Sequence, residues 1–383
     1  MGIYASKEQI SLEEKKALEK KKLQINYEKF QRKGSMLAKH PKGYAINQCK
    51  TLDENQKFKN NRPNTFDFSN VGVPRFSNKG ISKEEDKNEY FDSLEILQLK
   101  IKQVVQLLRE SKYAVVYSGA GISTSADLPD FRGPNGAWTK EEAGISGGFS
   151  NAEETKIPSL TEIVPTYAHM AIAKLMELGM VKAVVTTNMD NLHMRSGVPA
   201  DKLVELHGNS FKERCTVCGK EYYRKEEIYE GMTLKCEVDQ CTGTLVDTIV
   251  NFNEPIYQRD WDTAKEHSEK SDLSIVIGTS MRVLPSCLLP EMSIIKNGPE
   301  NNHMVICNFQ ITPYDDSSTP RVFSPSDDFF YYLMQELQIE TPTLTPKGEN
   351  IKSLSFPTQP KSHHVDSQKL DPSVYNVNFR FLF

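Results

Sequence analysis

Four cysteines in the middle of the chain have the spacing of metal ligands. Cys215 and Cys218 form a C-x2-C pair, and Cys236 and Cys241 form a C-x4-C pair after a gap of 17 residues. Two such pairs can surround Zn2+ with four thiolates, which leaves no coordination position for water or a substrate. We therefore predict a structural zinc site, with four unrelated buried thiols as the alternative. The chemistry has to be sought in neighbouring segments.

A histidine precedes these cysteines, in the segment Glu205-Leu-His-Gly-Asn209. An imidazole has an ordinary pKa of about 6.5, so its neutral form can accept a proton near pH 7. His207 is therefore a candidate general base, and a packed histidine that bonds local backbone groups is the alternative. Two other histidines, His169 and His193, lie among apolar residues and are predicted to be structural.

A glycine-rich segment, Gly119-Ala-Gly-Ile-Ser-Thr-Ser125, follows a run of β-forming residues. Its small residues would let backbone N–H groups approach a diphosphate at the start of a helix. The segment lacks the complete G-x-G-x-x-G fingerprint, so we expect a dinucleotide to be held differently from that of a hydride-transfer dehydrogenase. The loop from Asp130 to Gly136 comes next. It offers a carboxylate, an aromatic face and a guanidinium that could fold over a cofactor, with an ordinary surface turn as the alternative.

The segments around these motifs alternate between helical and extended patterns. Helical spacing predicts helices over Leu94–Arg109 and Tyr167–Leu178. Apolar and β-branched runs predict buried strands at Tyr113–Ser118, Lys182–Thr187, Leu273–Ile277 and His303–Asn308. Short apolar strands separated by helices indicate an α/β fold, with a Rossmann-like, doubly wound parallel sheet covered on both faces.

Each predicted strand ends in a polar or glycine-rich cluster. The four clusters are Gly119–Gly121, Asn188–Asp190, Gly278–Ser280 and Asn308–Gln310. In doubly wound sheets, ligands bind in the crevice beyond the carboxyl ends of the strands. We therefore expect the four clusters to line one cleft, and this convergence carries more weight than any single motif.

The composition limits the class of protein. The chain has 383 residues, of which 38% are hydrophobic, which allows a core domain with flanking extensions. A net charge of −4 gives no general attraction to nucleic acid, so direct nucleic-acid binding stays an open question. The remaining cysteines, Cys49, Cys287 and Cys307, are scattered, which favours a reducing, intracellular compartment. No apolar run has the length of a membrane span, and no secretory signal is recognisable.

The N-terminus carries a lipidation pattern. Met1–Ser6 fits M-G-x-x-x-[ST], which makes Gly2 a candidate for N-myristoylation. Residues 7–42 contain ten lysines and one arginine against five glutamates. One acyl chain binds membranes marginally, and a basic segment is the usual second signal. Membrane contact is therefore one expectation, with a solvated helix over Ser11–Arg32 or a basic arm for chromatin as alternatives.

Eight segments occur in the order found in sirtuins, the NAD-dependent protein lysine deacylases. They are GAGIS, PDFRGPNG, TN-x-D-N-LH, ELHGN, the four cysteines, NFNE, GTS and CNFQ. The chain resembles this family over about residues 91–342, and its pattern fits best the class IV branch of nuclear, chromatin-associated sirtuins. The domain organisation that follows is a basic extension over 1–42, a linker over 43–90, a catalytic domain over 91–342 with a zinc module at about 209–247, and a tail over 343–383.

The resemblance implies that NAD lies between the strand-end clusters. One side of this site would consist of Gly119, Ala120, Gly121, Thr124, Asp130, Phe131, Arg132 and Trp138. The other side would consist of Gly278, Thr279, Ser280, Asn308 and Gln310. The nicotinamide end of NAD would lie against Thr187, Asn188, Asp190 and His207.

The resemblance also implies a reaction. Asn188 and Asp190 would hold the nicotinamide carboxamide, although a polar strand end that caps the next helix is the alternative. Nicotinamide would leave while the carbonyl oxygen of an acyl-lysine attacks the ribose carbon. His207 would take a proton from a ribose hydroxyl, and that oxygen would attack the acyl carbon. The products would be free lysine, nicotinamide and an acylated ADP-ribose.

The segment Asn251, Phe252, Asn253 and Glu254 resembles the loop on which sirtuin substrates lie extended. Pairing of main chain with main chain would supply the affinity there. The expected partners are therefore acylated protein lysines, with histones as one candidate class.

Three positions depart from the family pattern. Thr187 replaces a Gln that contacts the nicotinamide ribose, and a lost or water-mediated contact would cost about 1–2 kcal/mol. Asn191 and Asn253 each replace a Gly, and asparagine is among the residues that best tolerate positive φ.

These observations lead to one main expectation, an NAD-dependent lysine deacylase with NAD and Zn2+ as its cofactors. Transfer of ADP-ribose onto protein and a weakly active NAD or ADP-ribose binding module are the alternatives. The expected location is intracellular, in the nucleus or cytoplasm or anchored at a membrane.

Overall fold

A computed structural model describes residues 88–133, 136–142, 159–228, 234–251 and 254–342. The central layer of this part is a sheet of six parallel strands: β1 (Ala114–Ser118), β2 (Val181–Thr186), β3 (Leu203–Glu205), β7 (Leu273–Ile277), β8 (His303–Cys307) and β9 (Arg321–Val322). Their spatial order is β3-β2-β1-β7-β8-β9, so β1 lies beside the point where the order reverses. The predicted Rossmann-like α/β fold is confirmed. The four predicted strands differ from the observed ones by at most one residue at either end.

The strands around β1 end at the same level. Ser118, the last residue of β1, lies opposite Thr186 of β2 and Ile277 of β7. All five residues of β1 are buried, as expected for a strand covered on both faces. The segments that follow β1, β2 and β7 therefore leave the sheet at one edge, where a cleft can form.

Helices cover both faces of the sheet. They are α1 (Leu94–Glu110), α2 (Ala137–Glu142), α3 (Tyr167–Glu177), α4 (Leu192–Arg195), α5 (Gln258–Lys270), α6 (Met292–Asn297) and α7 (Ser326–Leu337). Residues of α1, α3 and α7 pack with Val116 on one face. Val115, the residue before Val116 in β1, packs on the other face with Ala264 of α5. This alternation along one strand is the geometric result of the two-residue period of a β-strand.

α1 shows how the sequence pattern sets the packing. Its buried side chains recur every three or four residues and are Leu97, Ile101, Val104, Val105 and Leu108. Ser93 caps the helix, because its Oγ accepts a hydrogen bond from the N–H of Ile96 at 3.4 Å. The predicted helices over Leu94–Arg109 and Tyr167–Leu178 each differ from the observed helix by one residue.

A second, smaller sheet is inserted between β3 and α5. Its strands are β4 (Lys212–Cys215), β5 (Glu221–Tyr223) and β6 (Leu245–Asp247). They pair antiparallel in the order β5-β4-β6. This sheet lies within the span predicted for the zinc module.

The described chain begins with an extended segment that packs on the domain. The N–H of Tyr90 donates to Phe309 O at 3.0 Å, and the N–H of Asp92 donates to Phe323 O at 2.8 Å. The ring of Tyr90 is buried, with its centroid 5.4 Å from that of Phe323. The packed part of the chain thus starts before residue 91, where the linker was expected to end.

Some predictions concern positions outside the described residues. These are Gly2, the basic extension 1–42, residues 43–87, Phe252, Asn253 and the tail 343–383. Within the described ranges, every helix is too short or too polar to cross a bilayer.

Candidate active site

Two glycine turns meet at the carboxyl end of the sheet. The N–H of Gly121, after β1, donates to the carbonyl of Gly278, after β7, at 2.8 Å. A Cβ on Gly121 would lie 2.8 Å from Gly278 Cα, and Gly278 itself has a φ of 62°. A larger side chain would therefore force the two turns apart. The predicted clusters 119–121 and 278–280 are brought together as expected.

The chain after Gly121 does not start an α-helix, which corrects the expectation for the glycine-rich segment. It forms two short 3-10 turns, Ala120–Ile122 and Thr124–Ala126. The hydroxyls of this segment bond elsewhere: Thr124 Oγ1 donates to Gly121 O at 3.1 Å, and Ser125 Oγ donates to Asp327 Oδ2 at 2.7 Å. The first bond is local, whereas the second fastens the segment to α7, 202 positions further along the chain.

The loop after β2 is fastened to the first glycine turn. Asn188 Nδ2 donates to Gly119 O at 3.1 Å. Asp190 Oδ2 accepts from Ser123 Oγ at 2.6 Å, and its Oδ1 accepts from the N–H of Leu192 at 2.9 Å. Asp190 therefore caps α4, as the alternative interpretation held, and also faces the cleft turn. Ser123 bonds both Asn188 and Asp190. Ser123 is not among the predicted site residues, and its position in the GAGIS segment is the only signal that could have identified it.

Asn191, which replaces a family Gly, has a φ of 63°. The position requires the left-handed region, and asparagine tolerates this conformation better than most residues. The backbone after Asp190 thus keeps the conformation that a glycine would adopt.

His207 follows β3 and lies beside the loop after β2. The N–H of Leu206 donates to Thr186 O at 2.9 Å, which aligns the two segments. Burial lowers the pKa of His207 below its ordinary value, and a hydrogen bond with the Thr187 backbone opposes part of this shift. The imidazole is therefore neutral at pH 7 and able to accept a proton.

Thr187, the first residue after β2, lies beside the last residue of β1. Its Oγ1 lies 3.5 Å from Ser118 O, at the outer limit of a hydrogen bond. Its backbone N–H also donates to Ser118 O, at 3.2 Å. Both the backbone and the hydroxyl of Thr187 therefore lie close to the end of β1.

Aromatic and cationic groups form another wall of the cleft. The ring of Phe131 lies 4.9 Å from that of Trp138, and Arg132 Cζ lies 4.2 Å from the Trp138 ring centroid. Gln310 Nε2 donates to Arg132 O at 3.1 Å, and Asn308 Nδ2 donates to Gln310 O at 3.0 Å. The loop at 130–133 and the cluster after β8, predicted to share a site, are therefore in contact.

Arg132 has buried donors that fit an anion. Its Nε and Nη2 have no hydrogen-bond partner among the described residues. Burial, together with the neighbouring cation Arg282, lowers the pKa of Arg132 to about 10. Unpaired buried donors are costly, and a diphosphate would satisfy them with charge-assisted hydrogen bonds. The neighbouring Asp130 accepts from the N–H of Gly133 at 3.1 Å, and burial raises its pKa.

The remaining predicted cofactor and substrate residues have local contacts. Thr279 Oγ1 accepts from the N–H of Met281 at 3.2 Å, and Ala120 and Ser280 are partly exposed at the two turns. On the substrate segment, the N–H of Asn251 donates to Glu254 Oε2 at 2.8 Å. Asn251 and Glu254 are both exposed.

His169 and His193 are buried, in agreement with a structural role. Their rings lie 4.7 Å apart, and burial lowers the pKa of each to about 3. His193 Nε2 lies 2.8 Å from Ser118 Oγ, which donates to Thr186 Oγ1 at 2.9 Å. The buried pair therefore contacts the last residues of β1 and β2 through His193. This contact between residues distant in sequence has no local signal that could have predicted it.

The four predicted zinc ligands are brought together on the small sheet. Their Sγ atoms all lie within 4.8 Å of one another. The N–H of Val217 donates to Cys215 Sγ at 3.4 Å, and the N–H of Val238 donates to Cys236 Sγ at 3.5 Å. Four convergent sulfur atoms with backbone donors suit a tetrahedral Zn2+.

The fold and the site together define a class of protein. Two glycine turns and the loop after β2 meet at the carboxyl ends of the parallel strands, His207 bonds that loop at Thr187, and a four-cysteine module is inserted after β3. The model of the Sir2 family matches residues 119–285. The NAD-dependent protein deacetylase sirtuin-7 of Bos taurus is 35% identical over 305 residues, which cover 76% of this chain and 72% of that protein. The chain belongs to the Sir2 family.

Other relatives extend this comparison. The NAD-dependent protein deacetylase Sirt6 of Drosophila melanogaster is 32% identical, over 73% of this chain and 88% of that protein. SRT1 of Oryza sativa subsp. indica is 38% identical, over 72% of this chain and 53% of that protein. The chain thus spans about half the length of this plant relative. A solved Sir2 variant with deacetylated p53 peptide and 3'-O-acetyl ADP-ribose has a TM-score of 0.50 and 32% identity, over 63% of this chain and 99% of that one.

Proposed function

We propose that this protein is an NAD-dependent protein lysine deacylase that transfers the acyl group of an acyl-lysine to ADP-ribose and releases nicotinamide. The proposal rests above all on one observation: the loop that carries Asn188 and Asp190 is bonded to Gly119 and Ser123 on one side and, through Thr187, to His207 on the other. The relatives named NAD-dependent protein deacetylases support it. So does the solved Sir2 variant with a deacetylated peptide and an acetyl ADP-ribose.

Arg132 and the glycine turns would hold NAD. The two unpartnered N–H groups of Arg132 fit its diphosphate. Gln310 holds the Arg132 backbone and so keeps this wall closed around the site. When bound, NAD supplies a ribose carbon that becomes reactive toward an acyl oxygen as nicotinamide leaves.

His207 would act as the general base. Its lowered pKa keeps the imidazole neutral, so it can take a proton from a ribose hydroxyl at neutral pH. Asn188 and Asp190 would form the nicotinamide pocket, and their bonds to Gly119 and Ser123 fix their positions before a ligand arrives. Such prior positioning lowers the cost of binding and of orientation.

The zinc module would have a structural role. Four cysteine ligands leave no open position on a tetrahedral Zn2+, so the ion cannot bind a reacting group. The module connects Glu205 at the end of β3 with Lys212 at the start of β4 through a salt bridge of 2.9 Å. Loss of zinc would therefore disturb the segment that carries His207.

Within the family, we assign the chain to the class IV branch. The support is the presence of sirtuin-7 and Sirt6 among its relatives, together with the motif pattern of residues 91–342. A phylogenetic tree of sirtuin catalytic domains tests this assignment. Grouping with another class would contradict it.

We propose that Gly2 is myristoylated and that the basic segment after it strengthens membrane contact, on the support of the sequence pattern alone. Labelling with an alkyne myristate should mark the wild type and not Gly2→Ala. An unlabelled wild type would remove the membrane anchor and would favour the nuclear location of class IV sirtuins. Acylated histones are the first protein substrates to test, because class IV sirtuins act at chromatin.

The deacylase proposal is tested by incubating the full chain with NAD and an acetyl-lysine peptide and identifying all products by mass spectrometry. We expect nicotinamide, free-lysine peptide and O-acetyl-ADP-ribose in equal amounts. A chain or target protein that carries ADP-ribose without loss of acetyl groups would instead identify an ADP-ribosyltransferase. Binding of NAD without any product would identify a binding module.

A further inference from the structure

A buried arginine holds the loop that follows β8. Arg321, in β9, is 8% exposed, and its Nη2 donates to Gln310 O at 2.6 Å. Its Nη1 donates to Asn308 O at 3.0 Å and to Ile306 O at 3.2 Å, and also bonds Val322 O. One guanidinium thus fastens both polar residues of the Asn308–Gln310 cluster through their main chain.

The orientation of Arg321 is itself fixed. Its Nε donates to Asp315 Oδ1 at 2.7 Å, and its Cζ lies 4.0 Å above the ring of Phe323. Asp315 Oδ1 in turn accepts from Thr312 Oγ1 at 2.6 Å. A planar guanidinium with a carboxylate partner and a stacked ring can direct its donors in only one way. The carbonyl groups of the loop are therefore held by a rigid fork.

The held loop reaches the cofactor wall described above. Gln310, whose carbonyl accepts from Arg321, donates its side-chain N–H to Arg132 O at 3.1 Å. Asn308 Nδ2 donates to the same Gln310 carbonyl at 3.0 Å. A continuous series of hydrogen bonds thus runs from Asp315 through Arg321 and Gln310 to the backbone of Arg132.

We propose that Arg321 is a positioning residue for NAD, which acts through Gln310 and Arg132 without touching the cofactor. The inference rests on the proposed function and adds to it a residue that sets cofactor affinity from outside the cleft. The peptide segment at 251–254 has no hydrogen bond to Arg321 among those found in the described residues. Arg321 should therefore affect NAD and leave the affinity for the acyl peptide unchanged.

The test uses Arg321→Lys in the full chain. Lysine keeps the charge beside Asp315 but is a point donor that cannot reproduce the fork. We expect the Kd and KM for NAD to rise about tenfold, the loss that one or two neutral hydrogen bonds represent. The KM for acyl peptide, the zinc content and kcat at saturating NAD should remain those of the wild type. Asp315→Asn, which weakens the anchor of the fork, should give a smaller rise in the same direction and provides a second route if the lysine variant folds poorly.

Arg224→Lys is the matched control, because the side-chain hydrogen bonds of Arg224 found among the described residues go to Glu213 and Glu237 on the four-cysteine module. It should leave the Kd for NAD unchanged. An unchanged Kd in folded Arg321→Lys would overturn the inference, and so would a parallel loss of NAD affinity, peptide affinity and thermal stability. Calorimetry with NAD alone separates the two proposals. Wild type that binds NAD without deacylating would reject the deacylase function only, whereas wild type that binds no NAD would reject both.

Discussion

Asn209 Nδ2 lies 2.9 Å from Asn191 Oδ1, and this buried hydrogen bond joins the loop of His207 to the loop of Asn188 and Asp190. Asn209 also donates to Glu205 Oε1, while Glu205 Oε2 pairs with Lys212 Nζ at 2.9 Å. The same contacts therefore link these two loops to β4 of the four-cysteine module. Small displacements of one loop would be transmitted to the other, because buried polar networks tolerate few arrangements.

Replacement of Asn209 should separate the two loops. Asn209→Ala leaves the buried Asn191 Oδ1 without this donor, at a cost of about 1–3 kcal/mol in the free energy of unfolding. We expect kcat to fall more than the affinity for NAD, since the loops would no longer hold His207 against the nicotinamide pocket. Steady-state kinetics with denaturant unfolding measure both effects. Asn302→Ala is the control, because Asn302 is also buried and bonds Gly298 O before β8. Equal losses of kcat in the two variants would contradict the proposed coupling.

Zinc content should depend on the four cysteines and on no other thiol of the described residues. Cys236→Ser removes one ligand of the cluster, so the variant should lose bound zinc, thermal stability and activity together. Cys287→Ala, at a buried thiol outside the cluster, should retain one zinc per chain. Elemental analysis of both purified variants checks the prediction. Full zinc retention in Cys236→Ser would show that the cluster is not the metal site.

Stability should decrease with acid because of the histidine pair. Burial lowers the pKa of His169 and of His193 to about 3, whereas an unfolded histidine has a pKa of about 6.5. Between these values the unfolded chain binds more protons, so the free energy of unfolding falls as the pH falls from about 6.5 toward 3. His193→Gln should make this slope shallower, as measured by urea unfolding at several pH values. An equal slope in wild type and variant would contradict the assignment.

Thr187 should limit the rate of the reaction. Its hydroxyl stays near Ser118 O, at 3.5 Å, and a Gln at this position would reach about two heavy atoms further. Thr187→Gln should raise kcat/KM for deacylation about tenfold, by restoring about 1–2 kcal/mol of contact with the ribose. Thr187→Ser keeps the short hydroxyl and serves as the control. A slower Thr187→Gln enzyme would mean that the cleft has adapted to threonine.

The sequence was informative where a local pattern has one physical meaning. Short apolar runs predicted the strands, because a strand buried on both faces accommodates few polar side chains. The paired cysteine spacings predicted the cluster of four sulfur atoms. Three of the strand-end clusters are joined by hydrogen bonds, whereas the fourth, Asn308–Gln310, contacts the loop at Arg132. The glycine-rich segment forms two short 3-10 turns instead of starting an α-helix, and no local pattern in the sequence indicated this difference.

The contacts that hold the site together could not be predicted in this way. Arg321 and Asp315 are only six residues apart, but their meeting with Gln310 requires the parallel pairing of β8 with β9. Ser123 joins Asn188 across 65 positions of sequence, and a lone serine carries no sign of its partner. Asp190 bonds the N–H of Leu192 at the start of α4 through one oxygen and Ser123 through the other, and the second partner carries no local signal in the sequence.

Replacement of His207 tests the central claim most directly. His207→Ala should lower kcat/KM for formation of O-acetyl-ADP-ribose by a factor of about 100 or more, as expected for the loss of a general base. NAD binding and zinc content should be kept. His303→Ala is the matched control, because His303 is the first residue of β8 and lies at the amino ends of the strands, away from the strand-end clusters. The activity of this variant should equal that of the wild type. Product formation by His207→Ala at the wild-type rate would contradict the account, since the imidazole in the cleft would then have no part in the chemistry.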